Sequence, residues 1–383
     1  MKLAYISPSV LPSASANAVH VVHQCEALAR AGAEVLLFAK RAFPEPGQAV
    51  QAIRERYGVE FRNVTLRSYF SSVHSAATVR IALGALRELA RTDPDIILCR
   101  NLYAAYVLAV LRKRRILYET HHLELGWRRR LQRAIVWQPG VTTIVISEEL
   151  RRLLAEHVGG APARALVMHD AAVDGVTPLP WLEKRGALAR LLPDIDLERW
   201  KGTCAYFGNF YPGRGIDVIE EMARRRPKLL FLLFGERKGG SKVQSGTSHL
   251  PNLFYPGFVS HPIAQQIMKA VDVLLMPYQL KVSIGLPGHD TAQWMSPMKM
   301  FEYLASGTPV ISSDLTVLRE VLRDGENALL VPPADATRWV DAVDRVLDEP
   351  ALARRLGAAG HASYAKAYTW SQRARRILDA ATA

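Results

Sequence analysis

Cysteine is scarce in this 383-residue chain: Cys25, Cys99 and Cys204 stand far apart, in no Cys-x-x-Cys or Cys/His spacing. An odd, scattered set excludes a disulfide framework and a thiolate zinc site, and it fits a reducing compartment. Long hydrophobic runs are lacking as well. Stretches such as Tyr103–Leu111 and Leu229–Phe234 fall far short of the ~20 residues of a membrane span. The opening MKLAYIS has no signal-peptide shape and runs straight into a strand-like pattern. A cytoplasmic protein is expected, peripheral on the cytoplasmic membrane face at most. No internal repeat or low-complexity tract is visible, which excludes solenoids and disordered linkers. Lysine is also sparse, 12 residues against 37 arginines.

What is present can build a core: 49% of residues are hydrophobic and 22% charged, and the length suits two domains. The formal charge of +13 favours anionic partners. Short apolar runs alternate with helical patterns. Strand candidates are Lys2–Ile6, Glu34–Phe38, Asn63–Leu66, Asp95–Cys99, Arg115–Tyr118, Thr142–Ile146 and Ala165–Met168, with helices such as Ala18–Ala31 and Ala76–Arg91 between them. Several strands are continuously apolar, which implies burial on both faces and a parallel sheet. Prolines 178, 180 and 193 interrupt the rhythm, and residues 176–200 read as a linker. The alternation restarts at Thr203 and ends in helices. The expected fold class is α/β, with two Rossmann-like doubly wound domains facing across a cleft. The first spans 1–175, completed by a C-terminal helix at about 366–383, and the second spans 201–365.

Several stretches carry chemistry. In SPMKMFEYLASGTPVIS (296–312), a helix opens after Pro297 and stops near Gly307. Lys299 and Glu302 share one face of its first turns. Its free N–H groups, with Lys299, favour a phosphate, and Glu302 can accept from a sugar diol. An ordinary exposed Lys–Glu pair is the plain alternative. In YFGNFYPGRGID (206–217) a strand enters a glycine turn before Arg214, which can reach a diphosphate. Arg214-Gly215 stands where a P-loop needs Lys-Ser/Thr, so ATP or GTP hydrolysis is rejected. The loop Ser7–Val21 is small-residue but glycine-free, a weak phosphate signal. YETHH (118–122) ends a strand with Glu119, His121 and His122. Adjacent histidines on a strand point to opposite faces, so joint metal binding is not expected. Asp93/Asp95 and Asp194/Asp196 read as a strand start and a linker rather than metal ligands; no metal is expected. The loop Arg237–His249, rich in Gly, Ser and Lys, reads as a surface excursion. Basic clusters lie at Arg112–Arg115 and Arg128–Arg133. Leu123, Trp127, Leu131 and Ile135 recur every four residues beside the second, which reads first as a helix packed on its own domain with a solvated basic face and otherwise as a basic amphipathic helix suited to an anionic bilayer. No aromatic-interleaved basic stripe supports nucleic-acid binding.

In order and spacing, these stretches resemble retaining glycosyltransferases of the GT-B fold, family four. The resemblance covers nearly the whole chain and includes HVVHQCEALARAGAEVLLF, YETHH, FGNFYPGRGID, FYPGFVSH, SPMKMFEYLASGTPVISSDLTVLREVL and DGENALLVPPAD. It implies that Arg214 binds the donor diphosphate and that Glu302, the second Glu of E-x7-E, holds the donor ribose. It implies further that His121 lies near the transferred sugar and that Gly257, Phe258 and Val259 meet the nucleobase. Ser296 and Met298 fall in the donor-binding motif. Ala16 and Asn17 occupy the place of the usual first-loop glycine pair, on the acceptor side with Glu119, His121 and His122. The chain departs from the pattern at Trp294, where the first Glu falls, and at Asn209, where an Arg falls. Lys299 would replace the charge missing at Asn209, and Asp290 the carboxylate missing at Trp294.

The expected activity is transfer of a sugar, with retention, from a UDP-, GDP- or other nucleotide-diphosphate sugar to a hydroxyl acceptor, lipid-linked or free, without metal or other cofactor. His121, Arg214, Lys299 and Glu302 would be catalytic. Glycan, glycolipid or polysaccharide biosynthesis is the expected setting. A nucleotide-sugar epimerase and a non-catalytic nucleotide-sugar-binding scaffold at a membrane stand as alternatives.

Overall fold

The computed structural model describes residues 1–13, 15–42, 46–70, 74–235, 246–247, 250–283 and 290–382. The loop Arg237–His249 lies outside them except for Gly246 and Thr247. The chain divides into two compact units: Met1–Asp170 together with the segment from Thr369 onward, and Ala171–Tyr368.

In the first unit, strands and helices alternate as β1 (Lys2–Leu11), α1 (Ala16–Arg30), β2 (Glu34–Arg41), α2 (Pro46–Tyr57), β3 (Val64–Phe70), α3 (His74–Thr92), β4 (Ile96–Cys99), α4 (Leu102–Tyr106, continued as a π turn Val107–Leu111), β5 (Ile116–Thr120), α5 (Trp127–Val136), β6 (Val141–Val145), α6 (Glu148–Val158) and β7 (Ala165–Val167). All seven strands are parallel, in the order β3-β2-β1-β4-β5-β6-β7. Every residue of β4, β5 and β6 is buried, as expected of central parallel strands covered on both faces. The last helix of the chain, Trp370–Thr382, packs on α1 and buries Trp370, Ala374 and Ile377.

The second unit repeats the plan with α7 (Lys184–Leu191), β8 (Gly202–Phe207), α8 (Ile216–Arg225), β9 (Leu229–Phe234), β10 (Gly246–Thr247), β11 (Leu253–Gly257), α9 (His261–Ala270), β12 (Val273–Met276), α10 (Met298–Ser306), β13 (Val310–Ser313), β14 (Leu329–Val331), α11 (Ala336–Asp348) and α12 (Pro350–Ala367); the last helix is α13 (Trp370–Thr382). The sheet order is β10-β11-β9-β8-β12-β13-β14, with only the β10–β11 pair antiparallel. The proline-rich stretch before β8 is packed, not loose. It carries α7 and buries Leu188, Leu197 and Trp200 in the core of the second unit. There the Lys184 amine donates to the Val271 carbonyl at 3.0 Å and to Thr308 Oγ1 at 2.7 Å. Burial lowers that amine to about 8. Between β13 and β14 the chain makes one 3-10 turn, Leu318–Glu320.

Candidate functional site

In the second unit the strand order reverses between β8 and β12, the place where open α/β sheets take ligands. The turn after β8 is wedged against the chain after β12. A Cβ on Gly213 would stand 1.8 Å from the Lys281 carbonyl oxygen, and one on Gly215 would stand 1.9 Å from that of Pro277. Their φ angles, 81° and 72°, are left-handed as well, so both positions demand glycine. This wedge sets Arg214 on Tyr278. Its Nη1 donates to the Tyr278 hydroxyl at 2.8 Å, and its guanidinium lies 5.0 Å from the ring centroid. Its Nε is buried with no hydrogen-bond partner.

Lys299 arrives from the first turn of α10. Its Nζ sits 3.8 Å from the ring centroid of Tyr206 and 5.2 Å from that of Tyr278, buried and without a hydrogen-bond partner. Burial first, then the Arg214 guanidinium, push the ammonium well below its ordinary range, against the pull of Glu302. A Cβ on Gly208 would lie 2.7 Å from that Nζ, so the glycine makes room for the amine. The amine and the guanidinium thus meet at Tyr278, with Tyr206 on the lysine side, and neither makes an ion pair among the described residues. The N-terminus of α10, behind Pro297, has no side-chain cap. Together these groups suit a polyanion such as a diphosphate. Glu302 accepts from His261 Nε2 at 2.6 Å.

The remaining sequence candidates of this unit are scattered around that centre. Ser296 and Met298 are buried and Asn209 half-buried. Asp290 Oδ1 accepts from the backbone of Val282 and of Ala292, at 2.9 and 3.0 Å, so that oxygen holds its own loop. Gly257 accepts at its carbonyl from Gly235 N–H; Phe258 is exposed and Val259 packs against the core.

In the first unit, β5 carries the fully buried Glu119 into a dense network. Its Oε2 accepts from the Tyr5 hydroxyl at 3.0 Å, and its Oε1 from Arg373 Nη2 at 2.7 Å and His121 Nε2 at 3.0 Å. His20 Nε2 lies 3.1 Å from the same Oε1, and His20 Nδ1 is 2.6 Å from Asp170. Burial alone would raise the Glu119 carboxyl. Arg373 above all, then His20 and Arg100, outweigh it and hold the carboxyl well below its usual range. Burial, with Arg100, drops His121 to about 3, so its imidazole is neutral. His20, Glu119 and His121 lie close enough to hold a cation, but Arg373 already occupies Oε1, Asp170 faces His20, and Arg100 adds positive charge. The cluster therefore disfavours a metal.

His122 turns away from this centre, half-exposed, toward Glu124 at 3.1 Å. Ala16 and Asn17 are exposed in the first turn of α1, behind the Ser15 cap. Beside the network, a cavity of about 150 Å³ is lined by Pro8, Arg100, Asn101, Tyr103, Glu124 and Arg128, among others. Helix α5 corrects the expected stripe: Gln132, Ile135 and Val136 face inward, while Trp127 is 61% exposed and stacks on Tyr103. The helix is entered through Gly126 at φ 58°, which lifts its first turn off the sheet. Sequence reading missed Tyr206, Tyr278 and His261 in one unit, and Tyr5, His20, Arg100, Asp170 and Arg373 in the other. Arg100, directly beyond the carboxyl end of β4, and Tyr278, two residues beyond that of β12, carried a positional signal.

Comparison with known proteins agrees with this geometry. Residues 18–171 match the family model described as Glycosyltransferase Family 4, and residues 201–349 match that of Glycosyl transferases group 1. A D-inositol 3-phosphate glycosyltransferase of Corynebacterium aurimucosum is 25% identical over 414 residues, covering 98% of this chain and 94% of that protein. A phosphatidyl-myo-inositol mannosyltransferase of Mycobacterium tuberculosis is 29% identical over 167 residues, 43% of this chain and 41% of that protein. The crystal structure of Anabaena Alr3699/HepE in complex with UDP-glucose superposes with a TM-score of 0.71 at 14% identity, covering 100% of this chain and 99% of that one. Two Rossmann-like sheets with these two family signatures make the chain a GT-B glycosyltransferase of the family 4, group 1 type.

Proposed function

We propose that the protein transfers a sugar, with retention, from a nucleotide-diphosphate sugar to a hydroxyl of a phosphorylated polyol or its lipid, without a metal. The observation that carries this reading is the pair Arg214 and Lys299: two neighbouring cations on Tyr206 and Tyr278, each with a buried nitrogen lacking a hydrogen-bond partner. Breaking the anomeric C–O bond builds negative charge on the diphosphate, and fixed cations there lower the barrier, a task a divalent ion performs in other transferases. Glu302 would hold the donor ribose. With no nucleophile assigned among the described residues, the leaving phosphate would accept the acceptor's proton on the same face. His121, neutral and bound through Nε2, keeps Nδ1 as a bare acceptor for a sugar hydroxyl. The relatives named for inositol phosphates and phosphatidylinositol, and the neighbour crystallised with UDP-glucose, support the acceptor and donor classes. The cavity lined by Arg100 and Arg128 suits an acceptor phosphate.

The test is a donor panel of UDP-, GDP-, ADP- and dTDP-sugars with EDTA, read by thermal shift and by nucleotide release with and without inositol phosphate. A selective shift and acceptor-dependent release are expected. Selective binding without release would favour a second reading, a nucleotide-sugar-binding scaffold, which Trp294 in place of the first Glu and the Glu302–His261 pair support. Release of an altered free sugar would favour the epimerase.

A further inference from the structure

The proposed role of His121 requires a particular ring state, and the residue that enforces it comes from the other end of the chain. Arg373 lies on α13, 254 positions from Glu119, with its side chain 3% exposed. Its Nη2 donates to Glu119 Oε1 at 2.7 Å and its Nε to the His169 carbonyl at 3.1 Å, while Nη1 bonds the Gln24 side chain. Trp370, one turn earlier on the same helix, stacks edge-on to His20 with centroids 5.1 Å apart, and His20 meets His121 at 4.8 Å. The helix that supplies the arginine therefore also packs the rings.

Glu119 has no water-facing surface. A carboxylate without solvent survives only with paired charge, and otherwise takes up a proton. Four groups face it: Arg373 from α13, Tyr5 from β1, His20 from α1, and His121 just beyond β5; Arg100, after β4, reaches only 4.0 Å. Arg373 is the one full cation at hydrogen-bond distance. With it in place the carboxylate stays ionised, and His121 needs only to donate Nε2–H, leaving Nδ1 unprotonated. Without it, the nearest sources of compensating charge are the two histidines at the same oxygen, His121 at 3.0 Å and His20 at 3.1 Å; His20 already faces Asp170 through Nδ1, and His121 would take a proton at Nδ1 and lose its acceptor.

We propose that Arg373 is a positioning residue that acts through Glu119 to keep His121 neutral and protonated at Nε2. This rests on the reading of His121 given above, yet the ring state can be measured without it. In the full chain labelled with ¹⁵N-histidine, the His121 ring is expected as the Nε2–H tautomer, with no imidazolium from pH 5 to 9. An Nδ1–H tautomer or a titration in that range in the wild type overturns the proposal. In Arg373→Gln, His121 is expected to titrate between pH 5 and 8 and kcat to fall by about 10² with the donor KM unchanged. Arg373→Lys, which keeps the charge, is expected to restore the neutral ring. A folded Arg373→Gln with the wild-type ring state overturns the proposal. If Arg373→Gln does not fold, Arg373→Lys decides: loss of the Nε2–H tautomer there overturns it, and retention supports it. A changed ring state with unchanged kcat supports the positioning role and removes His121 from the reaction.

Discussion

Lys299 and Arg214 sit where like charges repel and neither amine nor guanidinium is fully hydrogen-bonded, an arrangement that costs stability in the empty protein. Ring faces return part of that cost, about 2 kcal/mol for a desolvated cation, and a bound polyanion would return the rest. Arg214→Ala is therefore expected to lower donor turnover by about 10², with little change in the melting temperature. Lys299→Met is expected to weaken donor binding while raising stability by ~1 kcal/mol, measured by urea unfolding without ligand. Wild-type donor response in both variants would remove the pair from the site. The histidine of the first unit makes a pH prediction. His121 sits at about 3 when folded, against ~6.5 in an unfolded chain. The unfolded chain takes up the proton first, so this stability is complete above pH ~6.5 and is lost as pH falls toward 3, at up to ~1.4 kcal/mol per unit. Glu119, also depressed, adds a loss in the same direction below pH ~4.5. Urea unfolding at pH 7.5 and 5.5 should show the first loss, and His121→Gln should flatten it; equal stabilities in the wild type would contradict the neutral, buried ring.

At the scale of elements, the turn between β8 and α8 can hold the proposed donor site only because its glycines pack against the chain after β12. Gly213→Ala drives a Cβ into the Lys281 carbonyl. It is expected to abolish the donor thermal shift and to cost at least 1–3 kcal/mol. Gly325 has a similar φ of 69° but open space around it; Gly325→Ala should cost ~1 kcal/mol and leave the donor response intact. Equal effects would mean that strain, not the close approach, governs the turn. The same contrast explains what sequence reading could see. Strands β4 and β9 were legible because burial on both faces leaves an unbroken apolar run, and β5, β6 and β8 because theirs is broken by only a few polar residues. Helix α10 was legible because Pro297 and Gly307 bound it. Helix α7 was hidden among prolines, whose local signal outweighed Leu188, Leu197 and Trp200. Strand β11 was hidden by Pro256 in LFYPG, since proline argues against a strand interior. Arg214, Lys299 and Glu302 could be proposed from motif spacing, but the rings that hold the two cations could not. Arg373 left no sequence signal at all, because its meaning depends on α13 packing against β5.

At the scale of the molecule, part of the charge of +13 comes from residues 112–133 of the first unit, which hold seven arginines. Between residues 111 and 137 four large apolar side chains are exposed: Leu111 (63%), Leu125 (62%), Trp127 (61%) and Trp137 (49%). Arg112, Arg114, Arg115, Arg129, Arg130 and Arg133 lie among them. No described helix is long and apolar enough to cross a bilayer; at an anionic bilayer surface the indole rings would sit at the headgroups and the arginines on the phosphates. Such binding should need both contributions. Vesicles of phosphatidylglycerol and phosphatidylcholine are expected to pull the full chain down at low salt, and pure phosphatidylcholine is not. Each arginine near the surface is worth about 1 kcal/mol, so Arg130→Gln with Arg133→Gln should weaken partitioning by about 30-fold. Raising ionic strength toward 1 M, where the screening length shrinks to about 3 Å, should release most of the rest. Trp127→Ser should weaken binding with the salt slope unchanged, because it removes apolar contact and no charge. If instead the arginine variants bind anionic vesicles as the wild type does, these charges serve solubility, and the acceptor of the transferase is better sought among soluble polyol phosphates.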